Sequence, residues 1–119
     1  MAKIDETLRQ LLQVDGAMAA AVVDYNSGML LGGAGSGLDL DIAAGGNTEV
    51  VRSKMKTMAM LGLDSQIQDI LITLSDQLHL IRPTHKLDGL FIYFVLDAKK
   101  ANLALARIQL KNVEEKLEI

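Results

Sequence analysis

The sequence predicts an α/β fold of the α+β kind: a three-layer α/β/α sandwich around a five-stranded, mainly antiparallel sheet. Three observations predict it. Apolar residues recur at helical spacing in some segments and run unbroken in short segments between turn signals. The candidate strands are joined by turns too short for parallel crossovers. Ala17 to Val23 and Leu90 to Leu96 are each seven apolar residues without alternation, so each needs cover on both faces of a sheet. The order is helix-strand-strand-helix-strand-strand-strand-helix, with helices on both faces.

Ile4, Leu8, Leu11 and Leu12 carry the first helix, with Lys3, Glu6, Arg9, Gln10 and Gln13 on its other side. It is amphipathic and packs on one face only. Asp15-Gly16 stops it, since glycine takes the left-handed conformation that ends helices. Ala17 to Asp24 then reads as a strand. Alanine favours helix on propensity alone. The turn signal Asp24-Tyr25-Asn26-Ser27-Gly28 and the second short run Met29-Leu30-Leu31 decide for a hairpin. Its alanines imply that a helix approaches closely.

Seven of the ten glycines fall between Gly28 and Gly46. Gly32 to Gly37 reads as a flexible connection into a long helix, from Leu40 to about Leu61, with Asp39 or Asp41 as its N-cap. Val51, Met55, Met58 and Ala59 form one stripe of this helix, while Val50 and Leu61 point elsewhere. One stripe covers a sheet and the excess calls for a second partner. The helix is therefore expected to face its own sheet on one side and another protein on the other. Gly45-Gly46 falls in its first turns, where each glycine costs about 1 kcal/mol relative to alanine. Either the regular helix begins only near Asn47 or Thr48 after a frayed lead-in, the reading favoured here, or a backbone packs closely on the pair.

Gly62 ends that helix. Gln66 to Leu74 is the next strand, with Ile67, Ile70, Leu71 and Ile72. Ser75-Asp76 turns the chain into Gln77 to Arg82, closed by Pro83, the only proline. Thr84 to Asp88 is loop, and Gly89 opens Leu90 to Leu96, expected to be central. Asp97 is expected to cap the last helix, Ala98 to about Leu117. Leu103, Ala106, Leu110, Val113 and Leu117 form its core stripe, with Lys111, Glu114, Glu115 and Lys116 among the solvent positions. Fewer than three heptads are present, so the helix reads as lying on a sheet rather than in a coiled coil.

The 119 residues suit one domain, 1-119, better than two. The net charge is −3 and the aromatics are only Phe91, Phe94, Tyr25 and Tyr93, so stacking platforms are scarce and nucleic-acid binding is disfavoured. The absence of cysteine excludes disulfides, thiolate metal sites and a cysteine nucleophile. It is compatible with a reducing cytoplasm, the expected location. The opening MAKIDETLRQ lacks the apolar segment of a signal peptide, and no apolar run is long enough to span a bilayer.

The glycine-rich stretch lies where a phosphate cradle would. It lacks a Gly-Lys-Ser/Thr ending, no lysine lies between Lys3 and Arg52, and Gly33-Ala34-Gly35-Ser36-Gly37 misses the GxGxxG spacing. A nucleotide or small-molecule sensor is the minor alternative to a plain connection. His79 and His85 are the only histidines and have no ligand spacing, so no metal or cofactor is expected. Ser36, Ser65 and Ser75 supply hydroxyls for a Ser/His/Asp triad, but no nucleophile motif surrounds them. Met55, Met58 and Met60 cannot all point inward from one face, so at least one is expected to serve an interface. Arg52, Lys54 and Lys56 read as a solvated face, or as steering for an acidic partner.

Taken together the pattern resembles the Roadblock/LC7 family over nearly the whole chain. Leu8, Leu11, Leu12, then Gly16, Ala20-Ala21-Val22-Val23-Asp24 and Gly28 look like the family's opening helix and hairpin. Leu96-Asp97 followed by Ala101-Asn102-Leu103-Ala104-Leu105-Ala106-Arg107 looks like its strand-to-helix junction. The resemblance implies first and last helices on one face of the sheet and the middle helix on the other. It implies a homodimer, or a heterodimer with a relative, joined edge to edge through the third strand with the middle helices packed together. Carried onto this chain, that places Val51, Met55, Met58, Ile67, Ile70 and Ile72 at the dimer interface. It also implies a non-enzymatic regulatory or scaffolding module for a small Ras-like GTPase or, alternatively, a structural subunit of a larger assembly. Gly45-Gly46 departs from the family pattern, which has a good helix former there.

Overall fold

The computed structural model describes residues 3–119, so the first two residues of the opening read above as no leader lie outside it. The elements are α1 (Ile4–Leu12), β1 (Ala17–Asp24), β2 (Met29–Gly35), α2 (Leu40–Met60), β3 (Ile70–Thr73), β4 (Gln77–Pro83), β5 (Leu90–Asp97) and α3 (Leu103–Lys116). The five strands form one sheet in the order β2-β1-β5-β4-β3, with every neighbouring pair antiparallel. The unbroken apolar strand β5 lies at its centre, with residues Leu90 to Leu96 all buried.

Alternate residues of the central strands feed two cores. Val22, Leu80, Ile92, Phe94 and Leu96 meet Leu8 and Leu11 of α1 and Ala106, Leu110 and Val113 of α3. Ala19, Ala21, Val23, Ile81, Phe91, Tyr93 and Val95 meet Ala44 and Val51 of α2. This is the three-layer arrangement that two-sided apolar strands require.

Five local expectations are corrected. Gly32 to Gly35 is not a floppy connection but the second half of β2, paired with Ala19 to Val22. A Cβ on Gly32 would stand 2.6 Å from Ile4 Cγ2, and one on Gly33 would stand 2.7 Å from Leu40 Cδ1. The glycines are there because α1 and α2 press on the strand from opposite faces. The helix α2 is regular from Leu40, with the Asp39 carboxylate accepting from Asp41 N and Ile42 N at 3.1 and 3.2 Å. Gly45 and Gly46 therefore lie inside it, without a frayed lead-in. No close backbone packing explains them: among the described residues a Cβ on either would meet no atom within 4 Å, and Gly28 is the neighbour on the Gly45 side.

The third strand is only Ile70–Thr73, not Gln66 to Leu74, and the residues before it run as irregular chain. The last helix starts at Leu103, where Asn102 Oδ1 accepts from Leu105 N at 3.0 Å. Asp97 instead stabilises a turn: its carboxylate accepts from Lys99 N at 2.9 Å and its carbonyl from Ala101 N at 3.0 Å. That turn lays the Ala101 backbone on Gly16. Chain needed to climb from the sheet to the helical layer is thus lost to α3.

Glu114, expected in solvent, is buried. Arg82 shares the face of Leu78 and Leu80 that looks toward α3. Its Nε donates to Glu114 Oε1 at 2.7 Å, with the two side chains 5% and 2% exposed. Arg82 Nη1 donates to Gln68 O at 3.0 Å, and His85 N donates to Glu114 Oε2 at 3.4 Å. The pair ties β4, α3 and the segment before β3 together. Removing one member leaves the other charge buried and uncompensated, so Arg82→Met is expected to cost about 3–5 kcal/mol in urea unfolding. Arg82→Met with Glu114→Leu should recover most of that loss, and a double variant as unstable as the single one contradicts this account.

Candidate interaction surface

The inner face of α2 carries Ala44, Thr48 and Val51 against β1 and β2. Thr48 is apolar-compatible there because its hydroxyl donates to Ala44 O at 2.7 Å within the helix. Because α2 sits toward β2, the outer part of the same sheet face has no helix over it. Ile70 packs against the α2-side core, and Ile72, two residues on, shares that face and pairs with His79. All three are only half-buried.

On the facing flank of α2, Ile42, Gly46, Val50, Lys54 and Met58 follow one another at four-residue spacing. Near the start of the helix, Ile42, Gly46 and Asn47 border a hollow with His79 and Tyr93. Further along, Val50, Lys54 and Met58 face Leu63, Ile67 and Ile70 across a mainly apolar groove of about 500 Å³. Together they form a trough between α2 and the β4–β3 side of the sheet. Ile42 is 74% exposed and Val50 36%.

One polar row in the trough is paired within itself. Nε2–H of His79 donates to Gln77 Oε1 at 2.8 Å, leaving Nδ1 to accept from the Tyr93 hydroxyl at 2.8 Å. The two rings meet edge to face with centroids 5.5 Å apart. Burial lowers the His79 pKa from its ordinary 6.5, and the nearby Asp76 carboxylate only partly opposes this. Burial likewise raises that of the Tyr93 hydroxyl, against the opposing hydrogen bond from Asn47. The row is therefore uncharged at neutral pH.

Of the residues assigned to an interface by resemblance, Met58, Ile67 and Ile70 line the groove, and Ile72 lies beside it on the same sheet face. Met55 is half-buried against the chain's own core. Val51 is corrected outright: at 0% exposure it is wholly inside that core and supports the surface from beneath. Ile42 and Gly46 were not assigned to a surface, and Lys54 only to a solvated or steering face. Their four-residue spacing with Val50 was available, but the resemblance carried the stripe through Val51 to the interface, and Val51 itself is buried.

Ser65, His85 and Asp88 do line one hollow. However, His85 Nε2 is engaged with Ile67 O at 3.2 Å, and among the described residues no hydrogen bond joins its ring to Ser65 or Asp88. The geometry is not that of a nucleophile and its base. Among the described residues, no three His, Asp or Glu side chains are grouped to hold a metal ion. No helix among them is long and apolar enough to cross a membrane.

No family model matches the sequence. No curated protein matches it either. Solved structures do resemble it. A Roadblock/LC7 domain from Streptomyces avermitilis superimposes with a TM-score of 0.82 at 12% identity, covering 97% of this chain and 94% of that one. MglB of Myxococcus xanthus gives 0.83 at 16% identity, over 95% and 89%. A gliding protein, MglB of Thermus thermophilus, gives 0.81 at 18%, over 94% and 83%. The chain has the Roadblock/LC7 fold along nearly its whole length.

The depressed His79 pKa sets a pH dependence. The unfolded chain binds the proton more tightly, so His79 contributes full stability above pH 6.5 and loses it as pH falls through 6.5 toward the lower folded value. Urea midpoints at about pH 7.5 and about pH 5.5 (roughly one unit either side of the ordinary value) should therefore differ less in His79→Asn than in the wild type. Equal differences would remove His79 as a source of acid sensitivity.

Proposed function

We propose that the protein is a non-enzymatic, dimeric regulatory or scaffolding module for a small Ras-like GTPase. The observation that carries the dimer is the trough, whose apolar walls end at the open edge of β3. An apolar edge strand left unpaired invites another strand. A twofold-related copy pairing β3 to β3 would use the same patch on both partners. It would also bring the two α2 flanks together over the exposed outer part of the sheet. Gly46 fits this reading, since it weakens α2 yet lies on the flank that faces the trough, and small residues let helices approach.

The GTPase comes from the fold and the family resemblance rather than from a chemical site. It needs no catalytic group here, because the GTPase would own the hydrolysis. A dimeric platform of this kind offers it a rigid two-sided surface.

Light scattering after gel filtration should give twice the chain mass of 12.9 kDa. Val50→Asp and Ile72→Lys, at positions the fold leaves partly open, should give monomers with unchanged circular dichroism. Gly46→Ala should stabilise the isolated helix by up to about 1 kcal/mol while weakening the dimer. A monomeric wild type at micromolar concentration overturns the homodimer.

The partner is tested separately by titrating the small GTPases of the source organism, each loaded with GDP or a non-hydrolysable GTP analogue. Binding that prefers one nucleotide state by roughly tenfold, or about 1.4 kcal/mol, is the expected outcome. No binding in either state rejects the GTPase and leaves the structural-subunit alternative.

A further inference from the structure

The opposite edge of the sheet, β2, presents a second surface that neither the dimer nor the GTPase reading uses. Met29–Gly35 pairs with β1 on one side only and is the terminal strand of the sheet. Its free side offers backbone N–H and C=O groups to another strand. Edge strands are usually guarded by a charge or a proline, and Met-Leu-Leu-Gly-Gly-Ala-Gly has neither. Met29 is 63% exposed and Leu31 42%.

The register explains how these side chains are placed. Val22 pairs with Gly32 and Val23 with Leu30, so Leu31 is the extra residue of a bulge. From Gly32 to Gly35 the ladder is regular. Gly32 and Gly33 present no side chains of their own; Ile4 and Leu40 lie over them from the two faces. A strand added beside them would alternate its side chains between an apolar wall of Ile4 and Leu31 and another of Leu30 and Leu40.

Charge selects the occupant. The first turns of α1 and α2 converge on the glycines of β2 through Ile4 and Leu40. They bring Asp5 and Glu6 to one face and Asp41 to the other, all exposed. Glu118 joins Asp5 around Leu31, where Lys3 is the one base among the described residues. The edge is thus apolar with an acidic rim. A second copy of this chain would set one acidic rim against another, which like charges oppose.

We propose that β2 takes up an extended segment of a partner protein, apolar at alternate positions and rich in lysine or arginine, as a sixth strand of the sheet. Main-chain hydrogen bonds hold such a segment, the two apolar walls read its alternate side chains, and the acidic rim selects its charge. The surface lies at the far edge from β3, so this docking stands or falls independently of the dimer.

The test uses the full chain and three synthetic peptides: alternating valine and lysine, alternating valine and glutamate, and the lysine peptide with alternate backbone amides N-methylated. Amide resonances of the isotope-labelled protein report the position of binding. The lysine peptide is expected to shift and protect amides of β2, leaving β3 unchanged. Its affinity should fall by roughly tenfold between low and physiological salt, as rim electrostatics predict. N-methylation should abolish binding, because it removes the ladder. Leu31→Lys, which places a guard on the edge, should abolish it too, and Asp5→Asn with Asp41→Asn should weaken it while leaving the fold intact by circular dichroism. The proposal is overturned if the lysine peptide does not bind, if the glutamate or N-methylated peptide binds equally well, or if the shifts map to β3. It is also overturned if Leu31→Lys lowers the mass of the unliganded protein in light scattering, since the edge would then be occupied by a second copy.

Discussion

The structure depends on β5 having no exposed face. From Leu90 to Leu96 every residue is buried, with neighbours alternating between two cores. Such a strand is stable only between strands on both sides and helices above and below. Burying a side chain of this size contributes about 1.5–3 kcal/mol, so the requirement outweighs local preferences elsewhere. The alanines of β1 remain in a strand despite their helix propensity because that strand pairs with β5. The glycines of β2 follow from the same demand, since α1 and α2 must close on the sheet at its other side.

Coverage of the two faces is unequal, and that inequality creates the surface proposed for assembly. Two helices, α1 and α3, serve one face. Only α2 serves the other, and it sits toward β1 and β2. The trough beside β3 is what one helix leaves uncovered. It carries Ile42, Val50, Met58 and Ile70, together with a satisfied row of Gln77, His79 and Tyr93. Where the opposite face does admit charge, at Arg82 and Glu114, the two groups are paired and further hydrogen-bonded. Buried charge is tolerated in the layer sealed by its own helices.

The element order, the hairpin, the central place of β5, the two-faced sheet and the excess apolar surface of α2 were all legible in the residues. They rest on period and on uninterrupted apolar runs, which are local signals. The same local logic failed at Gly32 to Gly35, where glycine looked like flexibility and turned out to be clearance for Ile4 and Leu40. It failed at Asp97, whose capping group is used in a turn while Asn102 caps the helix. The family resemblance placed Val51 at the outer surface although the period had Val50 pointing away from that stripe, and a stripe identifies an apolar face without saying which way that face turns.

The sequence by itself determined the strands and helices, their order, and the need for three layers, because backbone periodicity and apolar runs act over a few residues. Only the tertiary structure decided which flank of α2 remains open, that Glu114 meets Arg82 across 32 residues of chain, and that β2 and β3 are the two free edges. Those outcomes depend on where the helices settle over the sheet. That position is set by packing between distant residues, whose contacts leave no periodic trace in either segment alone.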